Sequence, residues 1–368
     1  MVLDIWRLDV DNNTFEKIDI IDTATSVIWI ERYQDLGQFE LYISALPRWV
    51  DEFANNEIFI TKQGSTCAMY GESVKLTENT EEGDYLTISG RSAEVMTLWR
   101  SMPYSNFEDS QQLGRFTAER IIRNIMTTWL INDSVIFTND NAIPFLSIEP
   151  FHGWEDYTER QFTGKTVLAV LQDLCGSFAY GFRFAWTGSG FEFQLYQGTD
   201  RSFGQTENTY VIFSPDFNNL TSSEYIKDNS NYFNSAICAG QGEGSERTLV
   251  YCYPEDTTGF KRRTLWVDAR QSAGEGTTYR KQLKAQADGA LAEHKKFESF
   301  TGEVFTEGSY RYGVDYSLGD KVAVENNYGI KGSARVVEVT EVEDAEGYRL
   351  IPTLSEWTIL PTEEDDNG

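Results

Sequence analysis

The sequence predicts a mainly-β chain in which two β-rich units flank a smaller α+β insertion. Three observations predict it: short alternating strands joined by polar turns open the chain, two stretches with helical apolar spacing interrupt them, and strand patterning returns near Thr206. The expected division is 1–100 for the first β unit, 101–205 for the α+β insertion and 206–357 for the second β unit, which carries a helix near 278–297. Residues 358–368 form an acidic tail expected to fray, and 206–234 fits either β unit at this stage.

Each element has a local reason. Ile5 to Val10 and Phe15 to Ile21 flank Asp11-Asn12-Asn13-Thr14, whose short polar side chains bond locally and favour a turn. Ser26 to Tyr33 and Gly37 to Ser44 form the clearest pair. In the second arm Phe39, Leu41 and Ile43 alternate with Gln38, Glu40 and Tyr42, the period of two of a strand buried on one face. Glu57 to Lys62, Ala68 to Glu78 and Asp84 to Gly90 extend the series, and many short strands favour a barrel or sandwich. Thr117 is placed to cap a helix from Ala118 to Leu130, with Ile121, Ile122, Ile125 and Trp129 on one face. A second helix, from about Thr166 to Cys175, carries Val167, Leu168, Val170, Leu171 and Leu174. Gly181 to Trp186 and Gly190 to Tyr196 then pair across Thr187-Gly188-Ser189.

In the last third, Ser235 to Ala239 and Arg247 to Tyr253 flank a glycine-rich turn centred near Ser245. That centre would set Cys238 opposite Cys252. A helix from Thr278 to Phe297 aligns Tyr279, Leu283, Ala287, Leu291 and Phe297. Its other faces carry Arg280, Lys281, Lys284, Lys295 and Lys296, which read as a solvated surface or as a contact for acidic neighbours. Lys321 to Glu325, Ile330 to Val342 and Tyr348 to Trp357 complete the strands, the last two joined through Asp344-Ala345-Glu346-Gly347.

Charge excludes several functions. The 368 residues hold 31 Lys+Arg against 58 Asp+Glu, a formal −27. Stable binding of nucleic acid needs cations to neutralise phosphates, and an anionic membrane surface repels such a chain. The acidity serves solubility by self-repulsion, or a wall past which DNA slides without sticking. No basic start leads into an apolar run and cleavage site, so folding in a cytoplasm is expected. Cys67, Cys175, Cys238 and Cys252 make neither a disulfide framework at this length nor the CxxC spacing of a zinc site.

Catalytic motifs are equally thin. His152, in an aromatic loop, and His294, on the basic helix, have no nucleophile motif nearby. Gly164-Lys165-Thr166 precedes a helix, but a phosphate loop needs glycine where Glu159 stands. Asp9-Val10-Asp11-Asn12-Asn13 lacks the glycine and distant glutamate of a calcium loop. Glu155-Asp156 beside Trp154 and Tyr157 is the first place to look for a glycosidase pair, although a turn in an aromatic loop is the simpler reading. The expectation is a protein that is not an enzyme, with no catalytic residue, no cofactor and no metal.

Three segments carry a family resemblance. They are Ser26-Val27-Ile28-Trp29-Ile30-Glu31-Arg32-Tyr33 with Gly37-Gln38-Phe39-Glu40-Leu41; Asn219-Leu220-Thr221-Ser222-Ser223-Glu224-Tyr225 running on through Asn231-Tyr232-Phe233-Asn234; and Tyr316-Ser317-Leu318-Gly319-Asp320-Lys321-Val322 with Ala334-Arg335-Val336-Val337-Glu338-Val339. In order and spacing the chain resembles the tail-hub, or tail-associated, proteins of siphophages, which are similar to the baseplate hubs of contractile phages. The resemblance implies two tube-type β-barrel domains per subunit around the α+β domain, and a homotrimer whose six similar faces match a sixfold tail tube. It implies a virion tail-tip location after assembly in the host cytoplasm. The implied partners are a distal tail protein, a tail tube or tape-measure protein and a receptor-binding protein, with DNA passing through the ring unbound. It offers no catalytic residues to transfer. Trp29, Tyr33, Phe39 and Leu41 become candidates for the first barrel's core or an intersubunit seam. Gly319 and Asp320 become candidates for shaping the turn into the last strands. The alternative function is a receptor- or carbohydrate-binding tail-tip protein, and a tail-associated hydrolase ranks below both.

Overall fold

Strand Leu3–Asp9 sits between two antiparallel partners, Thr14–Ile21 and Glu57–Lys62. The computed structural model describes residues 1–80, 83–102, 116–132, 142–158, 162, 164–253, 258–272, 274–304 and 310–359. Glu159 and most of the acidic tail therefore lie outside the described residues. The chain divides into two compact units, Met1–Ser223 with Thr301–Gly368, and Glu224–Phe300.

In the first unit the sheet continues from Glu57–Lys62 through Ala68–Thr80, Gly83–Ser92, Gln38–Ser44 and Ser26–Arg32 to Lys331–Asp344 and Gly347–Ile359. Strands from both ends of the chain thus share one sheet, with Glu338 opposite Arg32 and Thr340 opposite Ile30. Strand Lys331–Asp344 serves two neighbourhoods. Its first residues pair with Lys321–Glu325 and its later ones with Ser26–Arg32, and register shifts at Ser333/Arg335 and Val336/Glu338 re-aim it between them. The class is mainly β, as the patterning predicts, but this pairing path does not close into a barrel among the described residues. The opening stretch is also not hairpins alone. Pro47–Asn55 is a helix, with proline in its first turn and Trp49 and Phe53 buried one turn apart.

Strand Glu57–Lys62 separates two apolar clusters of the first unit. Ile58 and Ile60 point into one cluster with Leu3, Ile5, Val27, Trp29, Phe39 and Leu41. Phe59, on the other face, joins a second cluster built mainly from the middle region. A strand covered on both sides reads as an unbroken apolar run, and Ile58-Phe59-Ile60 is one. In the middle region, Thr117 and Thr166 cap the helices Ala118–Met126 and Val167–Phe178, accepting from Arg120 N at 3.3 Å and Ala169 N at 3.2 Å. The first helix runs on as a π-helical turn, Thr127–Ile131, which buries Trp129. A small sheet orders Leu146–Ile148, Phe191–Tyr196 and Gly181–Trp186, with Ile212–Phe213 lying parallel to Lys321–Glu325 elsewhere in the unit.

The second unit places Ser235–Ala239 between Leu249–Cys252, antiparallel, and Thr264–Asp268, parallel. Helix Gly276–Glu293 covers one face through Tyr279, Leu283 and Ala287. Two expectations need correction. The helix ends at Glu293, and Phe297 is an exposed residue opening the strand Phe297–Val304, because an apolar stripe can continue past a helix end into the next element. The hairpin is centred on Gly244 rather than Ser245, since Gly240 N donates to Thr248 O at 2.9 Å and sets those two residues opposite each other. Cys238 therefore faces Val250, and Cys252 faces Ala236. Both thiols are free and buried.

Candidate functional site

Where Ser26–Arg32 ends, Tyr33 N donates to Val337 O at 2.9 Å, which carries the chain one residue further along Lys331–Asp344. The Tyr33 side chain is fully buried, and its hydroxyl donates to Ala179 O at 2.7 Å. Its ring packs edge-on against Tyr196 at 5.3 Å and lies over the α-carbons of Gly181 and Gly319. A Cβ at either glycine would sit well under 3.0 Å from ring carbons, so neither position accepts a side chain without displacing Tyr33. Gly319 also has φ +94°, a conformation that glycine adopts without the steric penalty of a Cβ. Arg335 closes the stack. It is 6% exposed, its guanidinium lies 5.5 Å from the Tyr33 ring centroid, and Nη1 donates to Gly319 O at 2.8 Å.

Asp320 fixes the next turn. Its carboxylate accepts from Thr199 N at 2.7 Å, Arg201 Nε at 2.8 Å and Ser317 N at 3.0 Å. A carboxylate so surrounded has its lone pairs used by donors from its own turn and from one distant segment. Gly198 allows the approach, because a Cβ there would collide with Gly319 O. Arg32 adds an ion pair to Glu338 at 2.6 Å, and Gln34 donates to Cys175 O at 3.1 Å and Tyr180 O at 2.9 Å. The first strands, the α+β region and the C-terminal strands are thereby tied at one buried point.

Beside this knot lies a polar cavity of about 730 Å³, bordered by Lys62, Glu31, Glu341, Glu94 and Tyr316 among others. The Lys62 amine pairs with Glu341 and lies 3.5 Å from Glu31. Burial would lower the Lys62 pKa, but the two carboxylates outweigh it and the net direction is up. Glu31 also accepts from Trp29 Nε1 at 3.0 Å, and Glu341 from Tyr348 Oη at 2.6 Å. Burial raises the Glu94 carboxyl, although Phe184 N donates to it at 2.6 Å. Lys62 thus offsets part of the carboxylate charge gathered at the cavity.

The six candidates therefore fall into two sets. Tyr33, Gly319 and Asp320 meet at the knot, while Trp29, Phe39 and Leu41 lie in the adjoining apolar cluster, with Trp29 and Phe39 ring centroids 6.3 Å apart. Sequence reading missed the roles of Gly181, Gly198, Arg201 and Arg335, each of which has a partner at the knot more than a hundred positions away. The rejected motifs have structural roles. Lys165–Thr166 pairs with Ser101–Met102. His152 stacks on Trp154 at 4.5 Å, and its Nε2 lies 2.9 Å from Glu149 and 3.0 Å from Leu195 O. Buried Glu119 holds that loop by accepting from the backbone N of His152, Gly153 and Trp154. Asp156 accepts from Tyr180, and His294 Nδ1 lies 3.0 Å from Asn231 O. Among the described residues no group of three His, Cys, Asp or Glu is placed to hold a metal ion.

Comparison with known proteins gives the sequence its context. The family described as Siphovirus ReqiPepy6 Gp37-like protein matches residues 2–354. The chain is similar in fold to a tail protein from Neisseria meningitidis MC58, at 14% identity and TM-score 0.55, over 96% of each chain. It is similar also to the 43 kDa tail protein of prophage MuSo2 from Shewanella oneidensis, at 11% identity and TM-score 0.55, over 96% of this chain and 97% of that one. No curated protein sequence matches this chain.

Proposed function

The chain belongs to the Siphovirus ReqiPepy6 Gp37-like family, and on that footing we propose that it is a structural hub subunit of a phage tail tip. Three copies form a ring that joins the tail tube and distal tail protein to the receptor-binding apparatus, and DNA leaves through its bore. The observation that carries this reading is the fold likeness to phage tail proteins along nearly the whole of both chains. Two tube-type domains per copy would give a threefold ring six similar faces for a sixfold tube. A net charge of −27 suits a wall that DNA must pass without adhering. The buried knot at Tyr33, Gly319 and Asp320 supports the same reading. A subunit that passes force between tube and adhesin gains from segments locked to each other over long sequence distances, and here the polar side chains serve that locking. We assign the protein no catalytic step.

The test is a mass measurement by light scattering coupled to size-exclusion chromatography, across a concentration series because assembly follows mass action. The expected species has three times the chain mass of 42.0 kDa. A monomer at every concentration, with or without the distal tail protein, would contradict the hub reading.

A further inference from the structure

The three-stranded sheet of Glu224–Phe300 buries one face and, among the described residues, leaves large side chains of the other exposed. Ala236, Cys238 and Cys252 point to the helix side. On the opposite face Ile237 is flanked by Tyr251 on one neighbouring strand and Trp266 on the other. Tyr251 is 52% exposed, Trp266 54% and Tyr253 45%. Scattered exposed aromatics are ordinary, but these form one patch on one sheet face.

The rings are also held in place. Arg247, whose side chain is 8% exposed, lies 5.5 Å from the Trp266 ring centroid. Its guanidinium donates to Gly240 O at 2.8 Å and Ala239 O at 2.6 Å and pairs with Asp268. Arg262 sits 3.9 Å from the Tyr253 ring centroid, and Tyr253 lies 5.6 Å from Tyr251. Aromatic side chains fixed by arginines before any contact lose little entropy on binding, and Trp, Tyr and Arg are the residues that dominate interface energies. Arginines spread over the rings' faces fit a protein surface better than a stacked sugar.

Charge identifies the occupant. Glu224–Phe300 holds 11 Lys+Arg and 11 Asp+Glu, so the whole −27 falls on the other unit. Copies of this chain repel one another through their first units and meet without that repulsion through the second. We propose that the Tyr251–Tyr253–Trp266 face docks on the acidic first unit of a second copy of this chain, a head-to-tail contact that closes the ring. The inference rests on the trimeric hub reading.

A photo-crosslinking residue replacing Tyr251 in the otherwise natural full chain, assembled from isotopically mixed copies, tests it directly. Crosslinks between copies should map to residues 1–223 or 301–368 of the neighbour. In parallel, Trp266→Ala with Tyr251→Ala, and separately Arg262→Glu, should weaken self-association about tenfold or more while the circular dichroism spectrum is unchanged. If the natural chain is trimeric but crosslinks reach only another tail protein, or none form, this inference falls and the hub reading stands. A natural chain that stays monomeric throughout sinks both.

Discussion

Tyr33 is held by contacts that each have a distinct chemical cost when removed. Tyr33→Phe keeps the ring and loses the hydroxyl's bond to Ala179 O at 2.7 Å and its longer one to Tyr196 O at 3.4 Å, so thermal unfolding should report a loss of about 1 kcal/mol. Gly319→Ala adds a Cβ against the Tyr33 ring at φ +94° and should cost about 2 to 4 kcal/mol, several times more than the hydroxyl. Equal effects would mean that the ring has room to move. Glu94 gives a pH signature. Burial raises its folded carboxyl above the ordinary 4.5, so the folded state holds the proton that the unfolded state releases first. Its contribution to stability is therefore complete below about the ordinary carboxylate pKa and declines as pH rises towards the raised folded value. Urea midpoints measured from acidic to neutral pH should show Glu94→Gln flattening that decline, with the variant gaining relative to the natural chain at neutral pH. A decline of unchanged slope would place its source elsewhere.

Helix caps belong to the next scale, where sequence was most informative. Thr166 bonds three residues ahead of itself, a local interaction, and Thr166→Ala should lower stability by about 1 kcal/mol, read from a urea midpoint shift at unchanged slope. The alternation at Phe39, Leu41 and Ile43 and the start at Thr117 were legible for the same reason: period and cap chemistry act over a few residues. Helix Pro47–Asn55 was not, since a two-turn segment with only Trp49 and Phe53 buried gives too short an apolar period against surrounding strand patterns. The overlong reading to Phe297 and the two-residue slip at Cys238 and Cys252 have a common cause. Periodicity marks faces, whereas element ends and registers follow loop geometry. The site was half legible. Tyr33, Gly319 and Asp320 stand in segments that resemble a family, but nothing local shows that they touch, or that Gly181 and Gly198 make room for the contact.

At the scale of the molecule, long strands matter through what they connect. Lys331–Asp344 pairs with the first strands and the last ones, and its bulges let it turn from one to the other. Such pairings close loops of some three hundred residues, which sequence periodicity does not record. The distribution of charge has the same character, with a neutral second unit against an acidic remainder that carries all of the −27. Both features suit the proposed hub subunit. Electron microscopy of the purified assembly viewed along its axis tests this most directly. The expected averages show a threefold ring with a central opening bordered by six similar lobes. A solid particle without a bore, or a single lobe per subunit around the axis, would contradict the tail-hub assignment.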